Sequence, residues 1–275
     1  MQIIYPQDRK AIHPVGIFKE GFGLWLKNFF ALSGAYLVIY APLLVINISI
    51  AILFPANDAT SVEKIFFGAV SLLQWFAGMW AVIVFLLINI KAQAPGNSAI
   101  ENIIDAKNYI LPYLGNTVLF LLFLALISLL GAGLFLLGVF CLAIKQAILG
   151  IIVMLVSAIP CLFAIVYFAI RLSLGGVVCV AEKTGPVIAL KRSHELVKKY
   201  VTPVVGAYCL NFLAVLIFVI LQVLFSLIFK KFSQTCFDIA AQSFQFAAGL
   251  VLVPLLAAIS LVLYNKLKEA VEPKK

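Results

Sequence analysis

The sequence predicts an all-α fold: a polytopic membrane helix bundle with six transmembrane helices, three cytoplasmic interfacial amphipathic helices and three parallel repeats. The first observation is composition, because apolar residues make up 64% of the chain and charged residues only 11%, whereas soluble domains carry about 25% charged residues. The second is that several apolar runs reach the roughly 20 residues that cross a bilayer. The third is a recurring residue pattern. We therefore treat residues 1–275 as a single membrane domain.

Apolar runs between charged residues define the six predicted spans. These are Phe30–Phe54, Ile65–Ile90, Pro112–Leu136, Ala147–Ile170, Val201–Phe229 and Ala240–Tyr264. The third and fourth runs are separated by one charge, so we expect Gly138 and Lys145 to bracket a tight turn. Residues 1–28 mix charged residues along their length and lack an apolar h-region, so we expect no cleavable signal peptide.

Charge placement predicts the orientation of the spans. Of the 20 Lys and Arg residues, all but Lys64, Lys145, Lys230 and Lys231 lie on one side of the predicted bilayer. Basic residues near span ends are retained on the cytoplasmic side, so we expect both termini in the cytoplasm. The net charge of +9 is concentrated in these connections, which indicates contact with lipid headgroups rather than with nucleic acid.

Three cytoplasmic segments are predicted to form short amphipathic helices that lie flat in the headgroup layer. The second begins with Ser98 and Glu101, the pattern of a capping box. The first and third carry a mostly apolar stripe at helical spacing. The stripes are Val15, Phe18, Phe22, Trp25 and Phe29 in the first segment, and Val187, Leu190, His194, Val197 and Val201 in the third.

The recurring pattern predicts three repeat units, residues 14–90, 95–170 and 186–264. A shift of 91 residues superimposes five pairs of identical residues: Pro95 and Pro186, Lys107 and Lys198, Tyr109 and Tyr200, Pro112 and Pro203, Gly115 and Gly206. The first copy is looser, with Pro14, Lys27, Asn28 and Phe29 matching Pro95, Lys107, Asn108 and Tyr109. Two spans per unit make the repeats parallel, and a pseudo-threefold bundle is expected. The alternative is that any short connection between spans tends to be basic and aromatic.

Nothing in the sequence indicates catalysis, and we expect neither enzymatic activity nor a cofactor or metal site. The acidic residues lie in connections or near span ends, and His13 and His194 lie in separate segments. Motifs for metal-dependent hydrolysis, nucleophilic serine or phosphate binding are lacking. The five Cys residues show no CxxC spacing, so we interpret them as small packing residues.

The densest polar cluster follows the fourth span and gives the candidate headgroup or partner contact. It comprises Arg171, Glu182, Lys191, Arg192 and Ser193, with Glu195 beside them. One interpretation is structural, with Arg171 paired to Glu182 as an anchor for the surface helix. The other is recognition of an anionic lipid phosphate or of a partner's carboxylate.

Amide side chains within the spans form the second candidate set. They are Asn47, Gln74, Asn89, Asn211 and Gln222, with Gln242 and Gln245 in the last span. Such amides commonly form hydrogen bonds between helices in lipid. The alternative, a polar path for a solute, lacks a charged residue at mid-depth, so helix packing is favoured.

The segment from Tyr167 to Lys199 resembles a family of six-span proteins related to the membrane domain of glycerophosphodiester phosphodiesterases, which includes uncharacterised bacterial inner-membrane proteins. The similarity lies in an aromatic-rich span end with Arg171, an apolar stretch to Glu182, and Gly185 followed by Ala189–Ser193. The resemblance implies a bacterial inner (plasma) membrane location and an all-helical fold. It implies no phosphodiesterase activity, because no predicted segment outside the membrane is long enough for a catalytic domain. Lys198–Tyr200 departs from the glycine expected after the helix.

Together these observations predict a non-enzymatic scaffold, assembly or envelope-homeostasis factor. Its expected partners are the lipid bilayer, anionic phospholipids among its lipids, and other membrane proteins, contacted through basic cytoplasmic helices. The alternative is a small transporter or lipid-handling membrane protein, which would need a cavity reachable from water or lipid.

Overall fold

A computed structural model describes residues 12–53, 61–92, 98–144, 146–229 and 234–272 of the chain. These residues are almost entirely helical and contain no strand, which confirms the all-α prediction. The helices are α1 (Pro14–Lys27), α2 (Phe29–Leu53), α3 (Ser61–Ile90), α4 (Ala99–Asp105), α5 (Lys107–Ala143), α6 (Ala147–Leu172), α7 (Gly175–Ala181), α8 (Pro186–Lys198), α9 (Val201–Phe229) and α10 (Gln234–Val271).

Six of the helical segments are long and apolar enough to cross a membrane, as the sequence predicts: α2, α3, α5, α6 continuing into α7, α9 and α10. The predicted turn at Gly138 is wrong, because α5 continues to Ala143 and α6 begins only at Ala147. Gly138 serves instead for close packing, since a Cβ there would lie 2.5 Å from Cγ of Met154 on α6. Phe54, Pro95 and Lys145 lie outside the described residues.

The chain divides into two compact units. Unit 1 combines the described residues up to Leu111 with those from Thr202 onward, so it contains α1 to α4, the start of α5, and nearly all of α9 and α10. Unit 2 is Pro112–Val201, which contains most of α5 together with α6, α7 and α8.

In unit 1, the N-terminal helix α1 packs against the last span, α10. The two helices approach each other closely at Gly21, where a Cβ would lie 2.6 Å from Cγ1 and 2.8 Å from Cα of Ile259. Ile17 and Trp25, one turn before and after Gly21, are buried on the same face. This buried face adjoins the predicted apolar stripe, of which Val15 is exposed and Trp25 is buried.

Helix α4 packs against α2 and α3 in the same unit. Its Asn102 side chain is almost fully buried. The indole Nε1 of Trp80 on α3 donates a hydrogen bond to the carbonyl oxygen of Ile103, at 3.2 Å. Where α3 ends, the Lys91 ammonium forms an ion pair with Asp105. These contacts fix α4 against the end of α3.

The contact at Gly21 makes α1 sensitive to small changes in volume. We expect Gly21→Ala to lower the stability by about 1 to 3 kcal/mol, because the added methyl group meets backbone atoms of Ile259 that cannot rotate away. Gly23→Ala is the matched control, since nothing lies within 4 Å of a Cβ at Gly23, and alanine there gains up to about 1 kcal/mol of helix propensity. Thermal unfolding in mild detergent measures both variants, and equal melting temperatures would contradict the packing argument.

Candidate functional site

The predicted headgroup or partner contact lies in unit 2, where α6, α7 and α8 meet. Helix α8 begins sharply, with Gly185 in an extended conformation as its N-cap and Pro186 in its first turn. Proline suits this position because the first backbone amides of a helix have no intrahelical partner. Lys183, just upstream, has a φ of 53°, the left-handed conformation that reverses the chain after α7.

Helix α8 is held on α6 by a buried face of small and aliphatic residues. Ala189, Ser193, Leu196 and Val197 are fully buried there. The Ser193 hydroxyl donates a hydrogen bond of 2.8 Å to the carbonyl oxygen of Arg171 in the last turn of α6. Carbonyls in the last turn of a helix have no intrahelical donor, so this bond satisfies one of them. Ser193 is therefore a packing residue in this structure.

The Arg171 side chain lies between α6 and α8. Its Nη1 atom is 3.2 Å from Nε2 of His194, and its guanidinium stacks 4.2 Å above the ring of Tyr167. Guanidinium groups only donate hydrogen bonds, so Nε2 of His194 accepts and the imidazole is neutral. Burial lowers the pKa of His194, and the positive charges of Arg171 and Lys198 lower it further.

Glu182 forms an ion pair with Arg192, at 3.7 Å, and not the expected pair with Arg171. Arg192 also lies 3.9 Å from Glu195 on the same helix. Its side chain is 19% exposed, and that of Glu182 is 17% exposed. The sequence predicts that these charges lie in one cluster. It does not predict which of them form ion pairs, because the pairing depends on the side of α8 that faces α6. Arg192 is balanced by carboxylates, whereas Lys191 beside it is exposed.

The candidate amides within the spans do not share one environment. Asn89 at the end of α3 accepts a hydrogen bond of 2.9 Å from the Asn28 side chain, and it donates one to the carbonyl oxygen of Phe85. Asn211 is buried in α9, and its Oδ1 has no hydrogen-bond partner among the described residues. The remaining three amides, Asn47, Gln74 and Gln222, are partly exposed on α2, α3 and α9.

Sequence reasoning did not identify an apolar cavity in unit 1. The cavity has a volume of about 460 Å³ and lies between α2, α3, α4 and the first turn of α5. All of its lining side chains are apolar, among them Phe76, Trp80 and Ile103. The only sequence signal for it is the apolar periodicity of α3, which does not distinguish a cavity from a packed interface. Among the described residues, no group of His, Cys, Asp and Glu side chains could hold a metal ion.

The six long apolar helices define the fold as that of a multi-pass membrane protein. No known protein family, curated protein or solved structure matches this chain. The resemblance to the six-span family in the segment from Tyr167 to Lys199 therefore stays a prediction from that motif.

The burial of His194, together with the positive charges beside it, lowers its pKa and makes stability depend on pH. The lowered pKa of His194 means that the unfolded chain binds this proton at a higher pH than the folded protein does. Stability should therefore be constant above the ordinary histidine pKa of about 6.5 and fall as the pH drops below it. Melting temperatures in detergent on both sides of that pH measure the effect.

A glutamine at position 194 keeps an acceptor but cannot bind a proton. His194→Gln should therefore remove the part of the pH dependence that begins near 6.5. The control is His13→Gln, which changes the only other histidine, an exposed residue. If both variants keep the wild-type pH dependence, the lowered pKa of His194 does not control how stability changes with pH.

Proposed function

We propose that the chain is a non-enzymatic scaffold, assembly or envelope-homeostasis factor of the bacterial inner (plasma) membrane. In this proposal both termini are cytoplasmic, and α1, α4 and α8 lie in the cytoplasmic headgroup layer. There they contact anionic phospholipids and partner membrane proteins. The observation that carries the proposal is the division of α8 into a face buried against α6 and outer faces that are apolar and basic.

The exposed side chains of α8 suit a headgroup layer. Val187 and Ile188 are 67% and 62% exposed, while Lys191 and Lys198 are exposed and Lys199 follows them at the helix end. Apolar side chains that enter the acyl boundary, together with basic side chains that meet phosphates, are the features of an interfacial helix. Glu182 and Glu195 are paired with Arg192. The lysines of α8 therefore supply the positive charge that this helix offers to a ligand.

The repeat is part of this proposal, and equivalent contacts support it. A Cβ on Gly115 would lie 3.1 Å from Cγ of Pro186 in unit 2, and one on Gly206 would lie 2.5 Å from Cγ of Pro14 in unit 1. Gly115 and Gly206 are matched by the 91-residue shift, and the two prolines occupy matching helix starts. The same pairing of a proline with a glycine is therefore used twice.

Two further features recur, the first of them in the same register. The seventh residue after each matched proline is buried against a span: Gly21, Asn102 and Ser193. Each surface helix also packs on the second span of a repeat unit. Helix α1 packs on α10, α4 on α3 and α8 on α6. A basic residue at the end of each of these spans contacts the surface helix, through Lys266 with Glu20, Lys91 with Asp105, and Arg171 with His194. Three copies of one structural unit account for this recurrence.

Gentle-detergent purification followed by native mass spectrometry tests the lipid contact. Replacing Lys191, Lys198 and Lys199 by Gln should reduce the number of anionic phospholipids retained per chain, because each Lys near an anionic surface contributes about 1 kcal/mol, or about fivefold in affinity.

The matched control replaces Lys64, Lys230 and Lys231 by Gln, which changes the net charge equally on the opposite predicted side. Equal loss of anionic lipid from both triple variants would refute the role of α8. Removal of a C-terminal tag by external protease on intact cells would refute the orientation.

A second candidate function, transport or lipid handling, is favoured by the apolar cavity of unit 1. A transporter would use the amides within the spans, whereas a scaffold would tolerate their loss. We expect Asn211→Leu and Gln74→Leu to fold and retain lipid as the wild type does, since the Asn211 Oδ1 has no partner to lose. Flux assays in liposomes provide the other readout. A wild-type flux that these folded variants lack would favour the transporter.

A further inference from the structure

The apolar cavity of unit 1 has the length of a single leaflet. Its lining on α3 extends from Leu73 to Ile83, ten residues that rise about 15 Å at 1.5 Å per residue. The hydrocarbon core of a bilayer is about 30 Å thick, so the cavity extends along about half of it. Because its lining side chains are all apolar, the cavity suits a hydrocarbon chain rather than a polar solute.

A basic residue lies in the chain between two of the residues that line the cavity. Ile103 and Ile110 both line the cavity, and Lys107 lies four residues after the first and three before the second. Lys107 and Ile110 lie three residues apart in the first turn of α5 and so share one face of that helix, whereas Ile103 precedes the turn at Ala106 that separates α4 from α5. The Lys107 side chain is exposed and forms no ion pair with a described residue.

Lys91, which follows the end of α3, is already neutralised. It is paired with Asp105, whereas Lys107 has no ion-pair partner among the described residues. The cavity is also pre-formed, because the Trp80 indole donates its hydrogen bond to Ile103 and so holds α4 against α3. A pre-formed apolar site with a positive charge close to its lining residues matches an amphiphile with an anionic head.

We propose that this cavity holds one acyl chain of a single anionic phospholipid, with the lipid phosphate at Lys107. The site deepens the proposed function and rests on its membrane placement, since it names a bound lipid in the leaflet on the α4 side. Annular lipids exchange without regard to headgroup, whereas this site selects for charge through Lys107 and for a chain through Phe76, Trp80 and Ile83.

Tryptophan quenching by brominated lipids tests the proposal in reconstituted protein. The chain has three Trp residues, and Trp80 lines the cavity while Trp75 is 41% exposed outside it. The reporter variant Trp25→Phe/Trp75→Phe retains Trp80, and the control variant Trp25→Phe/Trp80→Phe retains Trp75. Each is placed in vesicles of phosphatidylcholine with a minor fraction of brominated phosphatidylglycerol, and in vesicles with bromine on the phosphatidylcholine instead. Each tryptophan is compared between two mixtures that differ only in which lipid carries the bromine. A difference in membrane depth between Trp80 and Trp75 therefore does not affect the comparison.

At Trp80 we expect brominated phosphatidylglycerol to quench about fivefold more strongly than its share of the lipid predicts, which corresponds to the contribution of one Lys. At Trp75 both lipids should quench according to their share. Lys107→Gln should abolish the preference at Trp80, whereas Lys27→Gln, an exposed lysine at the end of α1, should keep it.

Equal quenching by the two lipids at Trp80 would overturn the proposal, because the cavity would then hold bulk lipid. No quenching at Trp80 would also overturn it, since a protein segment would then cover the cavity. If the reporter variants do not fold, native mass spectrometry of wild type and Lys107→Gln replaces them, and equal retention of phosphatidylglycerol is the refuting result. None of these outcomes depends on the α8 lysines, so the failure of this site and the failure of the α8 contact can be told apart.

Discussion

The contact of Gly21 with the backbone of Ile259 fixes the first helix of the chain on its last span. In lipid, large apolar side chains gain little by moving from acyl chains into a protein interface, so close backbone approach at small residues supplies much of the packing energy. Gly21 allows this approach, and Ile17 and Trp25 fill the space on either side of it. The position of α1, and with it the surface that α1 presents, depends on this contact.

In unit 2, the close approach of a surface helix to a span occurs at a small polar residue. Ser193 occupies the buried position on α8 and donates to the carbonyl oxygen of Arg171, which adds a hydrogen bond to the close approach. The neighbouring Arg171 contacts His194 and Tyr167. A cluster that the sequence alone could indicate as a ligand site is therefore largely occupied by its own contacts. The exposed lysines of α8 are the residues that we propose for lipid contact.

The two proposed lipid contacts differ in kind. On α8, exposed lysines and apolar side chains form an open surface that suits many lipids or a partner protein. In unit 1, Lys107 lies close in the chain to two residues that line a partly open apolar cavity, which suits one bound lipid molecule. The cavity depends on α4 being fixed against α3 by Trp80 and by the pair of Lys91 and Asp105. An ordered lipid there would stabilise the position of α4.

Length and hydropathy along the chain were enough to predict the six long apolar helices and the short amphipathic ones, because these two properties decide which segments can cross hydrocarbon. The predicted turn after the third span was misplaced, since Gly138 looks the same whether it ends a helix or packs against Met154. The packing of the helices was needed to show that α1 packs on α10, that Glu182 pairs with Arg192, and that α3 lines a cavity. These features depend on which helix faces meet across long separations in the chain, and periodicity along one segment does not specify its partner.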